Sequence, residues 1–491
     1  MTPSDRPNVL FITLDQFRAD SLSCAGHPLV RTPNLDRLAA HGVRLARHYS
    51  QAAPCSPGRA ALYTGTYQMN NRVVANGTPL DDRFDNIARI ATRAGYQPTL
   101  FGYTDQGVDP RQVSDRDDPR LSTYQGILPG FLSGLDLTGE HQPWLDRLKG
   151  SGHHFARVAD ALGSEHLRPS ALSASSFLTD RLIDWICSRP GPWFAHASYL
   201  RPHPPYRAAG EFATMYHPED CPAALPIPTD RHRLHRSLLE TGELSAARHP
   251  MTVPEIRAQY YGMISEVDAN LGRLWDRLME RGQWENTVIV VTADHGEQLG
   301  DQGLLNKGGF FESSYHIPGI IRDPRHHSTH GQVVNAFTEN VDIVPTLCDA
   351  IGAPVPLQSD GLPLTPFLEG REPPVWRNAA TYEWDWRDSF VSSEPHKWPW
   401  DQRLERQHLT VRRNASHAYV QFGNGTWLCF DLATDPTWQT RETDLSVVLA
   451  LAQEMLVWRS THADRTLTGM LLQDGGIGRF PPGTMSGPAM Q

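Results

Sequence analysis

In Asn8-Val9-Leu10-Phe11-Ile12-Thr13-Leu14-Asp15-Gln16, an unbroken apolar run stops on two side chains that carry oxygen. Apolar residues that do not alternate with polar ones predict a strand buried on both faces, as at the centre of a parallel sheet. The pattern returns at Thr287-Val288-Ile289-Val290-Val291-Thr292, which runs into Ala293-Asp294-His295-Gly296-Glu297. Open α/β sheets hold their ligands outside the carboxyl ends of strands. Asp15, Gln16, Asp294 and His295 would therefore make one cation site if these two strands lie side by side. Taken alone, Asp15 reads equally well as the cap of a following helix. Gln97–Gly102, Trp193–Tyr199 and the run around Ile317 to Ile321 read as further strands. Between them, Thr32–Gly42 and Phe177–Ser188 read as helices. Thr252 caps a long one from Pro254 to Gly282, whose Ile256, Tyr260, Met263, Ile264, Val267, Leu271, Leu274 and Leu278 recur at helical spacing. With a helix from Asp342 to Ile351, this predicts an α/β domain built on a doubly wound, mostly parallel sheet flanked by helices. Residues 112–170 and 207–250 lack periodicity and read as long surface loops.

Pro54-Cys55-Ser56-Pro57-Gly58-Arg59 lies between the first strand and the second. Pro57 suits the first turn of a helix, which puts Cys55 near a helix N-terminus, where open N–H groups favour an anion. Arg59 follows one turn later on the same face. An ordinary buried thiol is the competing interpretation. His203, in Arg201-Pro202-His203-Pro204-Pro205, follows a strand and is fixed between prolines. Lysine occurs only at 149, 307 and 397, so Lys307 in Asn306-Lys307-Gly308-Gly309 stands out as a compact, movable charge. Asn76 beside Gly77 reads by itself as a turn residue. Tyr103-Thr104-Asp105 ends another strand. Asp105 either faces solvent beside Gly107 or enters a dry pocket, where a raised pKa would let it accept a proton.

The succession of strand, Asp15-Gln16, the Thr32-Pro33-Asn34-Leu35-Asp36-Arg37-Leu38 helix and Cys55-Ser56-Pro57-Gly58-Arg59 resembles the sulfatase branch of the alkaline phosphatase superfamily. Within it, the chain is most similar to arylsulfatases and phosphonate monoester hydrolases, from residue 8 to about 470. The resemblance implies that Cys55 is oxidised to formylglycine by a maturation enzyme, and that its hydrate attacks sulfur or phosphorus through a covalent hemiacetal. It implies one divalent metal held by Asp15, Gln16, Asp294, His295 and residue 55. Mn2+ is favoured over Ca2+ because one donor is an imidazole. It assigns Arg59 and Lys307 to the transferred group, His203 to the leaving oxygen, and Asn76 and Tyr103 to substrate binding. At 105 the chain departs from the pattern. Arylsulfatases tend to carry His here and phosphonate hydrolases Thr, so Asp105 becomes the candidate base for breakdown of the intermediate. The expected activity is hydrolysis of sulfate esters, arylsulfatase type, with phosphonate monoesters and phosphodiesters as the alternative. A phosphatase or mutase using unmodified Cys55, and a binding protein on an inactive scaffold, are the competing classes.

The chain has 491 residues and a formal net charge of −10, which argues against nucleic-acid or anionic-membrane binding. Its six cysteines are scattered without metal-type or framework spacing, as in a reduced cytoplasmic protein, and no signal peptide or spanning segment is evident. The strand pattern shortens and turns antiparallel beyond about 375. This divides the chain into a catalytic domain at 1–375 and a smaller α+β domain at 376–491, with an antiparallel sheet and a tail. The Trp-rich 384–400 region and the tail beyond 470 carry apolar residues with no place in either sheet. They predict contact with a neighbouring subunit, in a homodimer or a dimer of dimers.

Overall fold

The computed structural model describes residues 6–387, 406–463, 470–473 and 476–479. In chain order the strands are β1 (Asn8–Leu14), β2 (Val43–Tyr49), β3 (Ala52–Ala53), β4 (Thr99–Gly102), β5 (Leu132–Asp136), β6 (Phe194–Tyr199), β7 (Thr287–Thr292), β8 (Gly319–Arg322), β9 (Gln332–Glu339), β10 (Ala379–Asp385), β11 (His408–Asn414), β12 (His417–Phe422), β13 (Trp427–Asp431), β14 (Met470–Gln473) and β15 (Gly476–Arg479). The α-helices are α1 (Pro33–Ala40), α2 (Cys55–Thr64), α3 (Gln68–Asn71), α4 (Ile87–Arg93), α5 (Gln142–Gly150), α6 (Val158–Gly163), α7 (Ala174–Cys187), α8 (Arg233–Glu240), α9 (Val253–Glu280), α10 (Ile343–Ile351), α11 (Thr365–Leu368) and α12 (Leu445–Thr461).

Among the described residues, eight strands form one sheet in the order β5-β4-β6-β1-β7-β8-β2-β9. Only β8 runs against its neighbours β7 and β2; the other pairings are parallel. β1 lies between β6 and β7, and its apolar residues are wholly buried on both faces, as the unbroken run requires. Leu10, Ile12 and Leu14 pack towards α7 and α9, with Leu271, Leu274 and Trp275. Val9 and Phe11 pack the other way, with α2, α4 and α10. α9 starts at a capping box: the Thr252 side chain accepts from Glu255 N–H, and the Glu255 carboxylate accepts from Thr252 N–H. The carboxylate of Asp268 on α9 accepts the backbone N–H groups of Asn34 and Leu35, pinning the start of α1.

Two segments differ from the sequence expectation. Residues 112–170 are not only loops: they hold β5, α5 and α6, and β5 forms one edge of the main sheet. Leu132-Ser133-Gly134-Leu135-Asp136 is largely exposed and carries no apolar run, as an edge strand allows. α5 buries only Trp144, Leu145 and Leu148. Residues 207–250 likewise contain α8, whose Leu234 and Leu238 are buried one turn apart.

The smaller sheet has the order β13-β12-β11-β10-β3, antiparallel except where β10 meets β3. β3 comes from the N-terminal part of the chain and ends two residues before Cys55, with Glu383 opposite Ala52 and Trp384 opposite Ala53. Arg377 pairs with Glu339 and Asp342 and fastens the start of this sheet to the end of β9. Contrary to the expectation that the start of the 384–400 region has no place in a sheet, Trp384 lies in β10, and it and Trp386 are buried against Phe310, Phe311 and Phe422. The remainder of the 384–400 region, from 388 on, lies outside the described residues, as does the tail beyond 470 apart from the β14–β15 backbone pair. No helix among the described residues is long and apolar enough to cross a membrane.

Candidate active site

The pairing of Thr13 with Thr292 in β1 and β7 brings the two strand ends together, so that Asp15 and Asp294 stand side by side. Gln16 N–H donates to Asp294 Oδ1 at 3.1 Å. Ligand atoms of Asp15, Cys55, Asp294 and His295 lie within 4.8 Å of one another, and all four residues are buried. His295 places Nε2 3.3 Å from Cys55 Sγ while Nδ1 lies 3.0 Å from the Gly296 carbonyl. With the Nδ1 proton on that carbonyl, Nε2 presents a lone pair to the cluster. Two glycines allow the backbones to meet: a Cβ on Gly296 would sit 2.2 Å from Ser313 O, and one on Gly58 would sit 2.4 Å from Asp294 O. Cys55 is the first residue of α2, and Ser56 N–H donates to Asn76 Oδ1 at 3.0 Å. Asn76 thus holds the helix start.

Arg59 is wholly buried and spends its donors on the cluster. Nε donates to Asp294 Oδ2 at 2.9 Å, Nη2 to Asp15 Oδ2 at 3.1 Å and Nη1 to Ser198 Oγ at 2.7 Å. Its guanidinium lies 4.6 Å from the Tyr103 ring centroid, and the Tyr103 hydroxyl donates to Asp15 Oδ2 at 2.7 Å. Burial works to raise the Asp15 carboxyl, but the Arg59 and Lys307 charges hold it well below the usual carboxylate range. Asp105 is buried rather than turned to solvent, with φ +50° and Oδ2 3.8 Å from Arg59 Nε. Its Oδ1 has no hydrogen-bond partner among the described residues. Burial pushes the Asp105 carboxyl up to about 7; Arg59 opposes the rise, and Asp15 and Asp294 add to it. Burial and the Asp15 charge likewise push the Cys55 thiol up, so the sulfur keeps its proton.

On the other side of Gln16, Lys307 Nζ donates to Gln16 Oε1 at 2.6 Å and lies 3.2 Å from His203 Nε2. His203 Nδ1 is 2.7 Å from Pro204 O, which assigns the ring proton to Nδ1 and leaves Nε2 as acceptor. Burial, then the Lys307 charge, lower the imidazole to about 3, so it is neutral. Arg201 fixes this loop by donating to the His203 and Pro205 carbonyls at 2.8 and 3.0 Å, and it is itself paired with Glu165.

Cys55, Arg59, Asp105, Tyr103, Asp15, Asp294, His295, Gln16, Lys307 and His203 therefore meet in one hydrogen-bonded region, and Asn76 touches it through Ser56. Two carboxylates, an imidazole and the sulfur of residue 55 in a buried cluster fit a divalent cation, whose charge would offset the carboxylates beyond what Arg59 supplies, while the Gln16 carbonyl beside them accepts from Lys307. Ser198, Gln106, Glu165 and Glu297 also belong to the region, and no motif in the sequence singles them out. Ser198 and Glu297 could have been found as polar residues at or just past the ends of β6 and β7. Gln106 Nε2 donates to Ser56 O at 2.8 Å from an irregular loop that carries no such signal.

The sulfatase family model matches residues 7–353, and a model for the C-terminal part of N-sulphoglucosamine sulphohydrolase matches 300–455. A multifunctional alkaline phosphatase superfamily protein of Trinickia caryophylli is 36% identical over 507 residues, 94% of this chain and 97% of its own. The crystal structure of the phosphonate monoester hydrolase of Agrobacterium radiobacter has a TM-score of 0.89 at 40% identity, covering 97% of this chain and 100% of that one. The phosphonate monoester hydrolase from Silicibacter pomeroyi gives 0.84 at 34%, covering 97% and 99%.

Proposed function

The chain belongs to the sulfatase family, and from that premise we propose a formylglycine-dependent, metal-assisted hydrolase of monoanionic esters. Phosphonate monoesters and phosphodiesters come first among its substrates, and sulfate esters share the same site. The observation that carries this reading is the convergence of Cys55, at a helix start, with Asp15, Asp294, His295, Arg59 and Lys307. Resemblance to two phosphonate monoester hydrolases over nearly the whole chain supports this order of substrates. Family membership itself favours sulfate esters as the second reading.

As a thiol, Cys55 holds its proton and is a weak nucleophile, which is why we assign the attack to an oxidised residue 55. The oxidised residue would supply a hydrated aldehyde, and a divalent cation on Asp15, Gln16, Asp294 and His295, Mn2+ by its imidazole, would withdraw charge from the ester oxygens. Arg59 holds both carboxylates and presents fixed positive charge beside residue 55, without reorganising as the reaction proceeds. Lys307 is the proton donor for the departing oxygen, because His203 Nε2 faces it as an acceptor. Asp105 has a free oxygen and a pKa near neutrality, the properties of a base that acts after attack. Partners under this reading are a small-molecule ester and a maturation enzyme, and the unpaired cysteines favour a reducing, cytoplasmic compartment.

The test compares kcat/KM for an aryl sulfate, a phosphonate monoester and a phosphodiester with the same leaving group, alongside Cys55→Ala. We expect all three to turn over, the phosphonate fastest, and Cys55→Ala to lose turnover while keeping its fold. A Cys55→Ala protein with a tenth of wild-type activity would overturn the mechanism, and a sulfate preference would invert the substrate order.

A further inference from the structure

Behind Gln16 lies a carboxylate that the mechanism above does not use. Glu297, wholly buried, follows the cation-site residues of the β7 end by two positions. It accepts from three directions: Leu299 N–H at 2.8 Å on Oε1, and the Tyr206 hydroxyl at 3.0 Å together with Gln16 Nε2 on Oε2. Three donors and no proton given identify an acceptor whose two oxygens are both committed. The Gln16 amide has one way to satisfy this neighbour. Its NH2 must point to Glu297 and to Asn306 Oδ1 at 3.3 Å, which turns the carbonyl the other way, to Lys307 Nζ. Tyr206 is three residues beyond His203, so the loop that carries His203 also closes the back of this chain of bonds.

We propose that Glu297, braced by Tyr206, is the positioning residue that fixes the orientation of the Gln16 amide. Through Gln16 it fixes both the oxygen offered to the cation and the place of the Lys307 ammonium. The inference rests on the proposed function for what Lys307 and the cation do. An aspartate at 16 would set a second carboxylate against Glu297, so the glutamine and the buried glutamate form a matched pair.

Three measurements test it. The first needs no substrate: the Mn2+ concentration that half-raises Tm. Removing a partner that orients a metal-site side chain typically costs about 10–100-fold in affinity, so Glu297→Ala should shift that midpoint upward by roughly tenfold or more. The second is the dependence of kcat/KM on leaving-group pKa. Glu297→Ala and Glu297→Gln should lose more rate with poor leaving groups than with good ones, because a displaced Lys307 matters only where charge builds on the departing oxygen. The third exchanges the two groups. Gln16→Glu alone opposes two carboxylates and should be severely impaired. Gln16→Glu with Glu297→Gln restores a donor facing an acceptor and should recover at least about tenfold of the loss, the coupling expected of residues in contact. Glu297→Gln and the exchange are near-isosteric and keep the test available if Glu297→Ala fails to fold. An unmoved Mn2+ midpoint, equal losses for all leaving groups, or additive effects in the exchange would each overturn the proposal. None of these outcomes depends on Cys55→Ala, whose result bears on the parent mechanism alone.

Discussion

Asp105 sits at φ +50°, a left-handed conformation that Asp and Asn tolerate better than most side chains, so Asp105→Asn is a change of charge without a change of backbone. Burial raises its carboxyl from an ordinary 3.8 to about 7. A carboxyl that holds its proton more tightly when folded withdraws stability as pH climbs from 3.8 through 7, at about 1.4 kcal/mol per unit. Cation-free Asp105→Asn should therefore melt higher than wild type at pH 8 and equally at pH 4, a comparison scanning calorimetry makes directly. Turnover should move the opposite way. As a base the group works only when ionised, so kcat of the wild type should rise with pH through the neutral range. The Asn variant should lose that limb and about 10²–10⁴-fold in rate. Equal melting at pH 8 would refute the buried, raised carboxyl, and an unchanged limb would refute its role. At this scale much of the site was readable from the chain, because Asp15, Asp294 and Lys307 each follow a recognisable pattern of strand end or rare residue. Gln106 and Glu165 were not legible as contributors: their work is a hydrogen bond or ion pair to a residue distant in sequence, and spacing carries no trace of it.

At the level of elements, α2 meets the end of β7 with no space to spare. Gly58 is the reason, since a methyl there would lie 2.4 Å from Asp294 O and 3.0 Å from Ala52 O. Both contacts are backbone and cannot step aside, so Gly58→Ala must lift the helix that carries Cys55 and Arg59. Arg59 would then lose the short bonds that neutralise two buried carboxylates. We expect a turnover loss of 10²-fold or more, in line with displacing catalytic groups by about 1 Å. A crystal structure of the variant should show α2 shifted from β7. Unaltered kcat/KM would contradict this account of the junction. The same close fit explains which elements the sequence announced. β1 and β7 are buried throughout and α9 along most of its length, so they had to be written in uninterrupted or helically spaced apolar residues. β5 is an edge, and α5 and α8 each bury a short patch, so tertiary contact rather than pattern sets them in place.

Across the whole molecule, the two sheets are joined by β3, a two-residue strand of the catalytic half that completes the C-terminal sheet. The boundary proposed near 375 is thus a change of architecture across which hydrogen bonds run. The far side of that sheet is covered by α12, which buries Val448, Leu451, Met455 and Trp458. Its opposite face leaves Leu445, Leu449, Leu456 and Val457 between 59% and 69% exposed. An apolar stripe of this kind suits a second copy of the chain, and we expect a homodimer or a dimer of dimers in solution. Light scattering at micromolar concentration that returned the monomer mass of 54.9 kDa would refute it.

Cys55 is 5% exposed, enclosed by α2, β3 and the carboxylates of the two strand ends. An enzyme that oxidises its sulfur would reach it more readily before those parts close. The proposed conversion then becomes a race: we expect it to be finished before α2 packs, and molecules that close first to stay unconverted. Adding a maturation enzyme to folded, unconverted protein should leave the mass of the residue-55 peptide unchanged, whereas the same treatment of unfolded chain should alter it. Conversion of the folded protein at a comparable rate would mean that the core around α2 opens far more often than its packing implies. In a host that makes the chain quickly, the share of working molecules would be set by the pace of synthesis before any substrate is met.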